Sequence, residues 1–283
     1  MKNEMNCTVI IKSLYPAMHE GEKRIADFIL KQSENIINMT VAQISREIGV
    51  ADSSIVRFCK KLGFNGFTQL KINLAKNIQK SEESILQDIN KKDSPYIIAS
   101  KVFDSSIKAL KDSSDMLDER ELDKAVNALI SAKRIEFYGV GTSATIAMDA
   151  YYRFMRIGLP AYAAIDSHIS KVSANMLDKD CVAVGISHTG RTKETINTLK
   201  IAKDKGAKVI CCTSFLDSPI TDIADIKLIT STVETKFMKE AVVSRIAQIV
   251  LLDSLYTCIV AKKYNMASKN LDNMGEILNN MRL

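Results

Sequence analysis

Two short segments in the second half of the chain carry the residue types that hold an anion. The first, Gly139-Val140-Gly141-Thr142-Ser143, follows a strand-like run from Ile135 to Val140 and precedes a helical pattern beginning near Ala144. Its glycines permit close backbone approach, and its hydroxyls, together with a helix N-terminus, supply hydrogen-bond donors. The second, Ser187-His188-Thr189-Gly190-Arg191-Thr192, lies between a run from Cys181 to Ile186 and a helical pattern starting near Lys193. Three hydroxyls, a turn glycine and the free amides of a helix start can wrap a phosphate by the same physics. Taken singly, each loop equally fits a helix capped by Ser or Thr for structural reasons; the pair is the stronger signal.

A third set of residues suits a longer polyanion. Near residue 50 a helical pattern (Val41, Ile44, Ile48) is followed by a tight turn at Gly49-Val50-Ala51 and a second helical pattern (Ile55, Phe58, Leu62). A helix-turn-helix brings its two helices close, which calls for a small residue in the first, a glycine at the turn and a branched apolar residue in the second. Ser45, Gly49 and Ile55 stand at that spacing. The second helix carries Ser53, Ser54, Arg57, Lys60 and Lys61, suited to base edges near its start and phosphates further along. The planar fork of Arg57 can bind guanine at two points, whereas Lys60 and Lys61 suit phosphate. Phe58 and Leu62 are expected to face inward, Thr40 to cap the first helix, and Asp52 or Ser53 to cap the second. Charge agrees, since residues 1–80 hold 12 Lys and Arg against 7 Asp and Glu, and the remainder 27 against 26. The same pattern also fits a small helical bundle with a solvated, lysine-rich surface.

These sites need two kinds of scaffold. A chain of 283 residues is longer than one core usually serves, which implies two domains. Its 46% hydrophobic and 25% charged residues, with 11 Gly and 4 Pro, exclude disordered and collagen-like classes. Apolar residues at Ile25, Phe28 and Ile29, continuing through the helix-turn-helix, predict an all-α domain over 1–80. Residues 81–122 read as a helical connector, with Asp118 and Glu121 spaced as a capping box. Beyond Arg134, strand-length runs at 135–140, 161–165, 181–186, 209–212 and 226–229 alternate with helical patterns such as 194–205 and 242–260. That alternation predicts an α/β domain over 123–265, with a mostly parallel five-stranded sheet flanked by helices, and a helical tail over 266–283. Both hydroxyl-rich loops then fall where strands end and helices begin, the ligand edge of an open parallel sheet. Six scattered cysteines without a C-x-x-C pair and three distant histidines lead us to expect buried, reduced thiols and no metal site. The apolar stretch over 246–261 is interrupted by Gln248 and Asp253 and is shorter than a bilayer span, and no apolar signal core follows Met1. The expectation is a cytoplasmic protein with no membrane partner.

The run Ser53-Ser54-Ile55-Val56-Arg57-Phe58-Cys59-Lys60-Lys61-Leu62-Gly63-Phe64-Asn65-Gly66-Phe67, followed by Leu70-Lys71, resembles the N-terminal DNA-binding domain of RpiR-type transcriptional regulators. The resemblance extends back through Val41-Ala42-Gln43-Ile44 and Ala26-Asp27-Phe28-Ile29, over about the first 77 positions. Two positions depart from the usual pattern: Ser45 stands where the family commonly has Ala, and Ala51 where it has Ser, which removes a hydroxyl able to cap or contact the backbone. The paired loops and the strands around them are similar to the SIS (sugar isomerase) domain, a phosphosugar-binding α/β domain that forms the C-terminal part of those regulators. That similarity runs from about Asp123 to Ala261 and includes Ser244-Arg245-Ile246-Ala247-Gln248 in the last long helix. It implies that Ser143, Ser187, Thr189 and Thr192, with Gly141, Thr142 and His188 beside them, hold the phosphate of a sugar. Asp166 and His168 match an acidic-x-His pattern of these regulators and are placed near the pocket. The resemblance further implies a double-stranded DNA operator and a sugar-phosphate effector with no other cofactor. A homodimer or homotetramer is implied too, because paired recognition helices must meet half-sites about 34 Å apart.

Catalysis is the competing expectation. Isomerase SIS domains typically place Gln-Ser after the first Ser of the second loop, where this chain has His188-Thr189. Isomerisation also needs an acid or base on the sugar carbons. Glu240, near the start of the last long helix, is the conceivable one, and equally complements a helix dipole. The expected function is therefore a regulator of carbohydrate metabolism that binds a sugar phosphate without turnover. Two alternatives stand against it: a phosphosugar isomerase with a helical appendage, and a regulator whose SIS domain only dimerises.

Overall fold

The structure is a computed structural model in which residues 6–78, 89–231 and 242–279 are described. Contacts divide the chain into two compact units, one ending at Met116 and the other beginning at Leu117.

The first unit is all helical: α1 (Cys7–Leu14), a short 3-10 turn (Tyr15–Ala17), α2 (Glu20–Lys31), α3 (Ser33–Ile36), α4 (Val41–Ile48), α5 (Asp52–Lys61), α6 (Phe67–Ile78) and α7 (Pro95–Met116). One face of each amphipathic helix supplies the core, which includes Ile25, Phe28, Ile29, Ile44, Ile55, Phe58, Leu62 and Leu70. A buried bond from the Cys7 amide to Asn73 Oδ1, 2.8 Å, ties α1 to α6. Thr40 caps α4 as expected: its Oγ1 accepts from the Gln43 amide at 3.3 Å, while Gln43 Oε1 accepts from the Thr40 amide at 2.7 Å. Gly49 ends α4 at φ 67°, a left-handed conformation that carries no steric cost for glycine. Ser45, the departure from the family's Ala, donates its hydroxyl to the Val50 carbonyl at 2.6 Å and so closes the turn. The expected cap on α5 is corrected. The extended residue before the helix is Ala51, which has no side-chain oxygen, and Asp52 falls inside the first turn.

The second unit begins with α8 (Glu119–Ser131), capped by Asp118. It continues as β1 (Arg134–Tyr138), α9 (Thr142–Arg156), β2 (Ala161–Ala163), α10 (Ser167–Ala174), β3 (Cys181–Ile186), α11 (Lys193–Asp204), β4 (Lys208–Thr213), α12 (Pro219–Ile223), β5 (Ile226–Ile229), α13 (Val242–Lys262) and α14 (Tyr264–Asn279). Every strand pair is parallel, in the order β2-β1-β3-β4-β5. Alternate strand residues feed two cores: Phe137, Val184 and Ile210 face α8, α9 and α13, and Ala183, Val209 and Cys211 face α10, α11 and α12. The division at Met116 falls inside the stretch read as a connector, so α7 groups with the helical unit and α8 with the α/β unit. The tail forms α14, whose Asn270 Nδ2 donates to the Ile157 carbonyl at 3.1 Å.

Two features depart from the sequence reading. Val243–Lys262 forms a helix long and apolar enough to cross a membrane by length and composition, longer than the apolar stretch over 246–261. Its inner face, with Leu251, Leu252, Leu255 and Ile259, belongs to the core of the α/β unit. In the middle of β1, Glu136 is fully buried, and accepts hydrogen bonds from Tyr138 and from Ser173 (2.7 Å) and an ion pair from Arg134 Nε (2.6 Å). Burial, with the adjacent carboxylate, pushes the Tyr138 phenol up and keeps it a donor.

Candidate functional site

In the order β2-β1-β3-β4-β5 the strand sequence reverses between β1 and β3, which pair side by side. The loops after these two strands hold both hydroxyl-rich segments, so the topology brings them to one edge, at the switch point where open α/β sheets bind ligands. The first loop is a tight turn into α9, with the Ser143 amide on the Val140 carbonyl (3.2 Å) and the Ala144 amide on the Gly141 carbonyl (3.1 Å). Gly139 is required there, because a Cβ would collide with the Ser143 carbonyl. Gly141 takes φ 61° immediately before the helix.

The second loop is closed on itself. The Ser187 and Thr192 hydroxyls share a 3.1 Å hydrogen bond, and the Gly190 amide bonds the Ser187 carbonyl at 3.1 Å. Gly190 has φ 64°, and a Cβ there would strike the Ser218 hydroxyl. Ser187 is buried, Thr192 is partly exposed and Thr189 is exposed. His188 turns to the loop after β4: its Nδ1 lies 3.0 Å from Ser214 Oγ, its ring is 5.6 Å from Phe215, and its carbonyl accepts from Thr213 Oγ1. Ser214 in turn shares a 3.1 Å bond with Thr230, after β5. Ser214 and Thr230 were not among the sequence candidates, although each follows the end of a strand and so reaches the same edge.

Asp166 and His168 follow β2. The Asp166 carboxylate caps α10, accepting from the amides of His168 and Ile169 at 2.9 Å each, and these bonds hold it below the usual carboxylate range. Both residues are exposed. Glu240 lies outside the described residues. A cleft of about 440 Å³ opens at the opposite, N-terminal end of the strands, lined by Lys133, Arg134, Tyr162, Asp178 and Cys181 among others. Its cations are committed, Lys133 to Asp178 (3.1 Å) and Arg134 to Glu136 and Ser173, so it is no second phosphate site. Among the described residues no three His, Cys, Asp or Glu side chains come together as metal ligands.

In the helical unit, α5 presents Ser53, Arg57 and Lys60 to solvent, with Ser54 partly buried and Phe58 and Leu62 in the core. Arg57 Nη2 donates to Ser54 Oγ at 3.3 Å, one turn back, which sets the guanidinium beside the helix start. Lys61 is held differently from the others, since its ammonium lies 2.8 Å from Glu22 Oε2 on α2. Burial pushes the Glu22 carboxyl up, but Lys61 and the His19 amide outweigh it and bring the group below its ordinary value. Arg24, absent from the sequence candidates, lines the same cleft of about 360 Å³ as Arg57 and the turn Gly49–Ala51.

One local property joins these places. Helices α1, α2, α4, α8 and α10 start under a side-chain cap, from Asn6, His19, Thr40, Asp118 and Asp166. Helices α5, α9 and α11, starting at Ala51, Gly141 and Thr192, have none among the described residues, and neither does the four-residue α3. A helix start without a side-chain cap carries the partial positive charge that suits an anion, although in α9 the Ser143 and Ala144 amides already bond the Val140 and Gly141 carbonyls.

Comparison with known proteins bears on each half. Residues 5–81 match the model of the helix-turn-helix domain of the rpiR family, and residues 128–258 match that of the SIS domain. A helix-turn-helix transcriptional regulator of Caldanaerobacter subterraneus subsp. tengcongensis is 34% identical over 95% of both chains. The bifunctional protein glk of Burkholderia thailandensis is 31% identical over 89% of this chain but only 39% of its own length. Among solved structures, Vibrio vulnificus NanR complexed with ManNAc-6P shares the fold at a TM-score of 0.62 and 21% identity, over 98% of this chain and 99% of that one.

Proposed function

The chain belongs to the rpiR family of helix-turn-helix regulators, its second half a SIS domain, and from that membership we propose a DNA-binding transcriptional regulator whose operator affinity answers to a phosphorylated sugar. The reading rests on where three of the uncapped helix starts lie: α5, which carries the basic face, and α9 and α11, whose starts reach the sheet's ligand edge. Arg57 reads a base edge; Ser53, Ser54 and Lys60 contact the backbone and neighbouring bases; Lys61 reaches phosphate by exchanging its Glu22 partner. Ser143, Ser187, Thr189 and Thr192 hold the sugar phosphate, with the Gly141 and Thr142 backbone close to it and His188 fixing the loop through Ser214. Asp166 and His168 stand at the rim of that edge.

The site binds without turnover in this reading, and the His188 imidazole, bonded to Ser214 and tilted against the Phe215 ring, has a positioning role. Double-stranded DNA and the effector are the partners, residues 1–80 and 123–265 the respective domains, and the cytoplasm the place where such a regulator meets its operator. The exposed apolar row Ile165, Ile169, Val172 and Met176, along α10 and its flanks, supports a homodimer through that face. Thermal denaturation against a panel of sugar phosphates tests the sensing half: a bound compound at 100 times its Kd stabilises by about 2.7 kcal/mol. A panel of aldose, ketose and amino-sugar phosphates that shifts nothing refutes it. For the DNA half, affinity should fall steeply and linearly with the logarithm of salt concentration, and a flat dependence refutes phosphate contact.

A further inference from the structure

The upper end of α13 carries two polar side chains, each with a buried polar atom that the described residues leave unpaired. Ser244 and Gln248 are 0% and 1% exposed, and neither Ser244 Oγ nor Gln248 Nε2 has a hydrogen-bond partner among those residues. They are four residues apart, so they share one face of the helix, the same face that further down carries the core residues Leu251, Leu252, Leu255 and Ile259. The inward face thus changes from apolar to polar along its length. Leaving a buried amide and hydroxyl unpaired costs stability in the free protein, which asks for a ligand that pairs them.

Where this polar end lies follows from contacts lower on the helix. Lys262, the last residue of α13, lies 3.3 Å from Asn127 Oδ1 and 3.6 Å from Asp123 on α8. Asn270 of the following helix bonds the Ile157 carbonyl at the C-terminal end of α9. Arg153 of α9 pairs with Asp253 of α13 at 3.1 Å, and the Phe154 and Tyr256 rings are 6.2 Å apart. The two helices therefore run side by side in the same direction, with their C-termini at one end. Their N-termini are at the other, where α9 emerges from the phosphate loop. At 1.5 Å per residue, Ser143 stands about 15 Å above Arg153 on α9, and Ser244 and Gln248 stand about 13 and 7 Å above Asp253 on α13. Ser244 is level with the first turn of α9, and Gln248 is one turn below.

We infer that Ser244 and Gln248 are specificity-determining residues for the effector, hydrogen-bonding the sugar hydroxyls or acyl substituent while the two loops hold the phosphate. The inference rests on the sugar-phosphate reading above and deepens it. Gln248 supplies an amide donor to an oxygen of the sugar, and Ser244 a hydroxyl that donates or accepts. A site built to pair such groups rejects a sugar lacking the matching oxygen, because its own polar atoms are then left unpaired again.

The test compares Ser244→Ala and Gln248→Met with Ser187→Ala by calorimetric titration. The probes are inorganic phosphate and a panel of hexose, pentose and N-acetylhexosamine phosphates; thermal melts of the free proteins are recorded alongside. The expected result is that both α13 variants bind inorganic phosphate within twofold of the parent and lose about tenfold or more for the preferred sugar phosphate. The free proteins should melt at or above the parent temperature, since an unpaired polar group has been replaced by an apolar one. Ser187→Ala should weaken phosphate and sugar phosphate together. Unchanged sugar-phosphate affinity in both α13 variants overturns this inference and leaves the phosphate site standing, as does a lowered melting point with equal loss for every probe, which marks a structural role. If neither phosphate nor any sugar phosphate binds the parent protein, the sensing reading falls and this inference with it.

Discussion

Removing the Ser187 hydroxyl separates binding from folding. In the free protein this hydroxyl shares one neutral 3.1 Å bond with Thr192, which is partly exposed and can turn to water. A neutral bond of that kind contributes about 0.5–1.5 kcal/mol, so Ser187→Ala should lower the melting temperature by no more than about 5 °C in a unit of this size. With a phosphate dianion in the loop the same hydroxyl donates to a charged oxygen, and such bonds contribute about 1.5–3 kcal/mol. Converted at 1.4 kcal/mol per factor of ten, the variant should bind its sugar phosphate about 10- to 150-fold more weakly. Isothermal titration of the parent and variant, with a melt of each, measures both quantities. A variant that melts normally and binds within threefold of the parent would refute the assignment of this loop to the phosphate.

Other consequences follow from the same geometry. Arg57→Ala should leave the melting curve unchanged, because the guanidinium is exposed, yet cost about 1–3 kcal/mol at the base pair it reads. Competition binding across single-base variants of the site checks this. Gly190→Ala should destabilise by about 1–3 kcal/mol, since alanine at φ 64° is strained and its Cβ meets Ser218; a urea midpoint equal to the parent's would contradict the loop geometry. The Glu22 carboxyl is depressed in the folded protein, so its pair with Lys61 contributes above the unfolded carboxyl pKa and is lost as pH falls through the lower folded value. Lys61→Ala should therefore cost less than about 1 kcal/mol near neutrality, the pair being partly solvated, and the gap in stability from the parent should close below about pH 4.

What the sequence made legible was mostly local. The Thr40 cap and its reciprocal Gln43 bond span three residues and follow from residue types alone. The five strands stood out as short apolar runs because a parallel sheet covered on both faces has no polar side to alternate with. Strand ends were less legible: β1 stops at Tyr138, and Val140, apolar in sequence, is exposed in the loop. The α5 start was misplaced by one or two positions, at Asp52 or Ser53, because the turn puts Ala51 in the extended conformation and draws Asp52 into the helix. Non-local pairings were out of reach. Glu136 in β1 looks like an interruption until Ser173, 37 residues on, folds against it, and Lys61 has its partner 39 residues back. At the candidate site the two loops were plain from their hydroxyls and glycines, whereas Ser214 and Thr230 gained meaning only when the strand order put their loop ends at the same edge.

The central claim is that one chain couples phosphosugar binding to DNA affinity. Its direct test is fluorescence anisotropy of the full chain on a DNA site selected from a random pool, titrated with and without the stabilising sugar phosphate at fixed salt. Coupling of about 1–3 kcal/mol predicts a change in operator Kd of about 5- to 150-fold, which Ser187→Ala should reach only at about 10- to 150-fold higher sugar-phosphate concentration. Saturable sugar-phosphate binding that leaves the operator Kd unchanged would contradict it.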